Sequence, residues 1–158
     1  MTREESKAPQ TATAPARSMS RDEMLSLFDR RQEAMDNLDA AALVEDYADD
    51  CVVDSPTAGV HSGRTAILAA FRAVFDGFPD MKLRSERLLI DGDRVAHLVE
   101  IEGTDIGGFL GVPPTGKSFR VPAIFLYEFK DRLIVRERRI YDYTGVLIQI
   151  GLLKAKPI

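Results

Sequence analysis

Apolar residues recur at steps of three and four over the first half of the chain, and at steps of two after about residue 80. Ser20 opens an S-x-x-E pattern with Glu23, a helix-starting capping box. Met24, Leu27, Phe28, Met35 and Leu38 then form one helical stripe, with Arg30, Glu33 and Asp36 mostly outside it. A second, short helix is predicted after Asp39, with Leu43 and Tyr47 on one side. The run from Cys51 to Ser55 reads as a strand stopped by Pro56. Ile67, Leu68, Phe71, Val74 and Phe75 mark a third helix ending near Gly77 and Pro79. Strands are predicted over 81–90, 94–104, 118–129 and 134–142, the first two joined by a hairpin at Asp91-Gly92. A connection rich in Gly and Pro spans 107–116, and the amphipathic segment TGVLIQIGLLKAKP follows the last strand. Helices first and an antiparallel sheet afterward predict an α+β domain, its helices packed on one face of a curved sheet and enclosing a cone-shaped pocket.

The 158 residues suit one domain over 20–158, preceded by a polar arm over 1–19 that is rich in Ala, Pro and Thr and reads as disordered. Met19 is an alternative start. With 45% apolar and 29% charged residues and a net charge of −4, neither nucleic acid nor an anionic membrane is an expected partner. The single Cys51 excludes an internal disulfide and points to a reducing, cytoplasmic setting. His61 and His97 lie far apart and no metal-ligand spacing occurs, so no metal is expected.

GVPPTGKS, from Gly111 to Ser118, satisfies the phosphate-loop string G-x-x-x-x-G-K-[ST]. That loop works through backbone N–H groups and a following helix. Pro113 and Pro114 have no N–H to give, and SFRVPAIFLYEF after Lys117 reads as a strand. The stretch is therefore expected to be a proline-stiffened turn, and no cofactor is expected.

Three segments carry a resemblance. YADDCVVDSPTAGVHSGRTAI resembles the helix–strand–helix entry of the nuclear transport factor 2-like superfamily, which includes the ketosteroid isomerases. GGFLGVPPTGKSFRVP resembles the G-x-x-P-P-T-G-[KR] loop of SnoaL-like polyketide cyclases. ERRIYDYTGVLIQIGLL resembles that family's last strand and G-x-L-x-Q-x-G helix, through Gly145, Leu147, Gln149 and Gly151. The resemblance implies acid/base chemistry on a small hydrophobic molecule, and commonly a homodimer. Its polyketide cyclases use an acid on the last strand and a histidine on the strand before it, where this chain has Arg139 and Phe125. Ketosteroid isomerases place a base Asp before the proline of the first strand and an oxyanion Tyr on the first helix. The matching positions here are Ser55 and Arg31, with Asp54 one step away and able to enter through a bulge.

A hairpin around 131–133, taken with that resemblance, sets Phe125 opposite Arg139, Tyr127 opposite Glu137 and Glu128 opposite Arg136. Phe125, Tyr127, Glu137, Arg139 and Tyr141 then share one face, which the resemblance turns toward the pocket. His97 shares parity with Val99 and Ile101 and is expected inside. Asp54 and His97 are the candidate proton carriers. Glu137, Arg139, Tyr141, Tyr127, Phe125 and Tyr47 are the candidate substrate contacts. His61, in a Gly-flanked loop, is expected at the surface, and Asp105 is expected to form a turn. The leading expectation is a cofactor-independent isomerase, cyclase or dehydratase acting on a carbonyl compound. A non-catalytic binding or dimerising module of the same fold, and water addition to an epoxide by an Asp-Arg-Asp arrangement, are the alternatives.

Overall fold

The structure is a computed structural model that describes residues 18–156. The expected arm therefore lies almost wholly outside the described residues, except that Met19 packs against the core. The next residue, Ser20, caps α1 (Arg21–Asp36), and the capping box forms in full, Glu23 N–H to Ser20 Oγ and Ser20 N–H to Glu23 Oε2. Asp39 caps α2 (Ala40–Glu45), its carboxylate accepting from the Ala42 N–H. Tyr47, expected on that short helix, instead begins β1 (Tyr47–Ser55), which runs four residues earlier than its apolar stretch suggested. β2 (Gly59–Ser62), absent from the sequence reading, folds back antiparallel on β1. α3 (Arg64–Gly77), β3 (Lys82–Asp91), β4 (Arg94–Thr104), β5 (Ser118–Lys130), β6 (Leu133–Tyr141) and α4 (Tyr143–Gln149) complete the order.

The strands make one sheet in the order β2-β1-β6-β5-β4-β3. Its pairs are antiparallel except β1 with β6, which run parallel, so the sheet is mixed rather than wholly antiparallel. The β3–β4 turn centres on Gly92-Asp93, one residue later than expected, with Gly92 at φ 56°. The β5–β6 turn is tighter than the three-residue loop predicted. Lys130 pairs with Leu133 across Asp131 and Arg132, both at positive φ as a type I′ hairpin demands. A bulge at Val135 then restores the predicted register, so that Phe125 faces Arg139 and Tyr127 faces Glu137.

Side-chain alternation decides what the cavity sees. Along β5, Phe119, Val121, Ala123, Phe125, Tyr127 and Phe129 are buried and every intervening residue is exposed. Removing each of the large apolar members from water contributes about 1.5–3 kcal/mol. The inward face packs with Met24, Leu27 and Phe28 of α1 and Ile67, Phe71 and Phe75 of α3. Among the described residues no helix is long and apolar enough to cross a membrane.

GVPPTGKS leads into β5, not a helix, as the β-branched and aromatic run after Lys117 predicts. Buried Asp105 anchors it. The carboxylate accepts from the Thr115 N–H at 2.9 Å and the Thr115 hydroxyl at 3.0 Å, and its backbone carbonyl accepts from the Gly116 N–H at 2.9 Å. The same connection lies against the end of α3, where Ile106 and Gly107 donate to the Gly77 carbonyl.

Candidate functional site

A cavity of about 790 Å³ lies between the concave sheet face and the helices. Phenyl rings from three directions, Phe28, Phe71 and Phe125, make most of its surface apolar, and Gly108 to Gly111 of the long connection close part of its wall. Among the described residues Glu137 is the only carboxylate lining it.

Glu137 is fully buried, and its own strand and the neighbouring β1 satisfy it. Arg139, two residues on and thus on the same face, donates from Nε to Oε1 at 2.6 Å and from Nη2 to Oε2 at 3.4 Å. Tyr47 donates its hydroxyl to Oε2 from the start of β1. Burial alone would raise the Glu137 carboxyl, but Arg139 beside it, then Arg31 and the Tyr47 bond, outweigh burial and hold it below the usual carboxylate range. Arg139 lies between the Phe71 and Phe125 rings, its guanidinium carbon 5.0 and 5.2 Å from their centroids. With 19% of its side chain exposed, it keeps an N–H edge toward the cavity after bonding Glu137.

Behind this pair, Arg31 of α1 bonds the Leu43 carbonyl at 2.9 Å, Asp46 at 3.2 Å and the Tyr47 hydroxyl at 3.2 Å. Its guanidinium also stands over the rings of Tyr47 and Tyr127. Each guanidinium thus has its own carboxylate, and the cavity wall is electrically balanced. The sequence reading identified Arg31 only as the place of an absent tyrosine. Its position on the buried side of α1, among Phe28 and Met35, was the available signal.

His97 faces inward as expected, its Nε2 2.8 Å from Ser85 Oγ and its ring edge-on to Phe28. Burial, and then the Arg31 charge, push its imidazole down to about 4 against a weaker opposing pull from Glu137. The ring is therefore neutral near pH 7. His97, Phe125 and Arg139 fall in one cross-strand row, which places the His97 and Arg139 Cα atoms about 10 Å apart, two strand spacings.

Two expectations are corrected. Asp54 does not turn inward: the irregularity in β1 lies before Val52, Val53 and Ser55 take the cavity side, and the Asp54 carboxylate meets Arg138 at 3.7 Å on the convex face. Asp54 and His97 therefore do not converge. Tyr47 is not at the cavity surface but behind Glu137, wholly buried. Phe125, Tyr127, Tyr141, Glu137 and Arg139 do line the cavity together. His61, expected at the surface, also lines it from β2, with Nε2 buried and unpartnered among the described residues. No apolar alternation marks that strand, in which Val60 is exposed and His61 faces the cavity.

Known structures share this fold. AclR from Streptomyces galilaeus, a candidate hydroxylase, superposes with a TM-score of 0.74 at 24% identity, over 87% of this chain and 91% of its own. IdmH from Streptomyces antibioticus, a candidate polyketide cyclase, gives 0.67 at 27%, over 80% and 97%. A protein from Catenulispora acidiphila with a ketosteroid isomerase-like fold, bound to trimethylamine, gives 0.66 at 20%, over 79% and 92%. A comparison with the curated proteins gives no significant match. The fold is thus the ketosteroid isomerase-like, nuclear transport factor 2-like one. The sequence profile of the SnoaL-like polyketide cyclases matches residues 26–150, from α1 through the last helix, and with that span accounted for the chain belongs to the SnoaL-like polyketide cyclase family.

Proposed function

We propose that the protein is an acid/base enzyme that isomerises, cyclises or dehydrates a hydrophobic carbonyl compound within this cavity. The observation that carries the reading is the Glu137–Arg139 pair, set in an apolar wall with a guanidinium edge left toward the cavity. Glu137 and the two flanking phenyl rings fix the plane of Arg139. Its spare N–H groups then donate to the substrate carbonyl oxygen and bind it more strongly as negative charge develops there on enolisation. His97 carries the proton: with Nε2–H given to Ser85, Nδ1 is left to accept it from the carbon beside the carbonyl. The desolvation that makes the imidazolium costly here disfavours this first transfer and favours return of the proton, at the same carbon or a conjugated one, so the driving force must come from Arg139 taking up the enolate charge. Membership of the cyclase family and the likeness to IdmH support a small-molecule enzyme, while the fold leaves the reaction open.

The test is solvent deuterium exchange at the carbon beside the carbonyl of 2-tetralone and larger fused-ring ketones, followed by NMR. Exchange faster than in buffer supports the enzyme reading. Binding without faster exchange favours the second reading, a ligand-binding module, which is supported by Arg139 and Phe125 standing where the family's acid and histidine are expected. Epoxide hydration has less support, since among the described residues one carboxylate rather than two adjoins Arg139 at the cavity. The convex sheet face, with Ile124, Leu126 and Ile140 exposed at 39%, 40% and 47%, supports pairing with a second copy of the chain.

A further inference from the structure

We infer that the β1–β2 end of the cavity is a second recognition subsite, in which His61 takes an uncharged hydroxyl or carbonyl oxygen at the end of the ligand remote from Arg139. The inference rests on the cavity reading above. His61 pairs across the sheet with Val53, and Val53 with Glu137, so His61 stands on the same inward face about 10 Å from Glu137 at the Cα positions, two strand spacings away. Ala66, Ala69 and Ala70 line the α3 side of the cavity, and their small side chains leave room in it.

The polar groups at this end are not equally open. Tyr141 OH is bonded to the Thr57 hydroxyl and lies 3.3 Å from Ser55 Oγ, so these three hydroxyls engage one another. His61 Nε2 is buried without a partner among the described residues, a departure from the rule that buried polar atoms are bonded. The ring's χ2 torsion is broad and roughly two-fold, so a turn brings the nitrogen edge toward an arriving polar group. Arg31 and Arg139 are the only cations lining the cavity among the described residues, and both already face carboxylates. A ligand carboxylate at the His61 end would meet no arginine or lysine of its own, which favours a neutral oxygen there. The ligand class is therefore an uncharged, largely apolar molecule with an oxygen at each end.

The test compares 2-naphthol with 2,6-dihydroxynaphthalene, which adds one oxygen at the far end, by calorimetric titration of the whole chain. The wild-type protein is expected to bind the diol about fivefold more tightly, the contribution of one ordinary hydrogen bond. His61→Leu is expected to abolish that preference by weakening the diol more than 2-naphthol, and His61→Gln, which keeps a polar edge, to restore part of it. Arg139→Met is expected to weaken both ligands. No preference in the wild type, or an equal loss of both ligands in His61→Leu, overturns the subsite and leaves the Arg139 reading standing. Failure of the wild type to bind either ligand overturns both.

Discussion

Replacing Arg139 with methionine leaves Glu137 with its charge buried and its main counterion gone. Removing one partner of a buried pair costs about 3–5 kcal/mol. Arg139→Met is therefore expected to lower the denaturant midpoint sharply, and Glu137→Met/Arg139→Met to recover most of the loss, since the double variant buries no lone charge. Equal stability of the single and double variants would show that the pair is not coupled. His97 gives a prediction of the opposite kind. Its folded value near 4 lies below that of an ordinary histidine, so the unfolded chain binds the proton more readily. Stability is then fully present above the ordinary value and is lost as pH falls from about 6.5 to about 4, by about 3 kcal/mol at most. Glu137 adds a separate loss at lower pH, below the usual carboxylate range. Unfolding titrations across pH 4 to 7 should show the slope in the wild type and a flatter one in His97→Gln. A wild-type profile flat across that window would mean that the imidazole is not desolvated as described.

At the scale of elements, the long connection between β4 and β5 is held where two backbones meet. A Cβ on Gly107 would sit 1.8 Å from the Asp76 carbonyl oxygen, and the obstructing atom is backbone, not a side chain that can swing away. Gly107→Ala is expected to destabilise by about 1–3 kcal/mol and to widen the cavity wall that Gly108 to Gly111 supply. Thermal melting with 2-naphthol titration would register both, and an unchanged melt would contradict the close approach. Elements of this kind were legible unevenly. The β5–β6 register could be read because the family resemblance set it, and two alternating runs meeting over a short turn agreed with it by placing Glu128 opposite Arg136. Arg139 and Glu137 followed from that register. Asp54 was misplaced because C-V-V-D-S offers two adjacent valines and so no clear phase, and β1 begins at Tyr47, before the apolar run. Tyr47 was misplaced for the same reason. His61 was missed because a four-residue edge strand carries too little pattern to separate it from a loop. What patterning could not supply was the set of partners around each group: the carboxylate bonded by Arg139 and Tyr47, the imidazole against Ser85, the buried nitrogen with none among the described residues.

For the whole molecule, the two sheet faces have different tasks. The concave face holds the cavity, and the convex face carries Arg84, Glu100, Glu102 and Arg120 in one charged ladder beside Ile124, Leu126 and Ile140. If that face joins two copies, sedimentation equilibrium should give a dimer for the wild type and a monomer for Leu126→Lys/Ile140→Lys; a monomeric wild type would remove the assembly. Neither outcome alters the cavity, where the central claim lies: an apolar chamber with one guanidinium edge set to receive a carbonyl or enol oxygen. The most direct measurement is a crystal structure of the complex with 2-naphthol, whose hydroxyl stands in for that enol. The naphthol oxygen is expected within about 3 Å of an Arg139 nitrogen, its rings against Phe71 and Phe125 and Glu137 still paired. Naphthol bound outside the cavity, or inside it with its oxygen away from Arg139, would contradict the account.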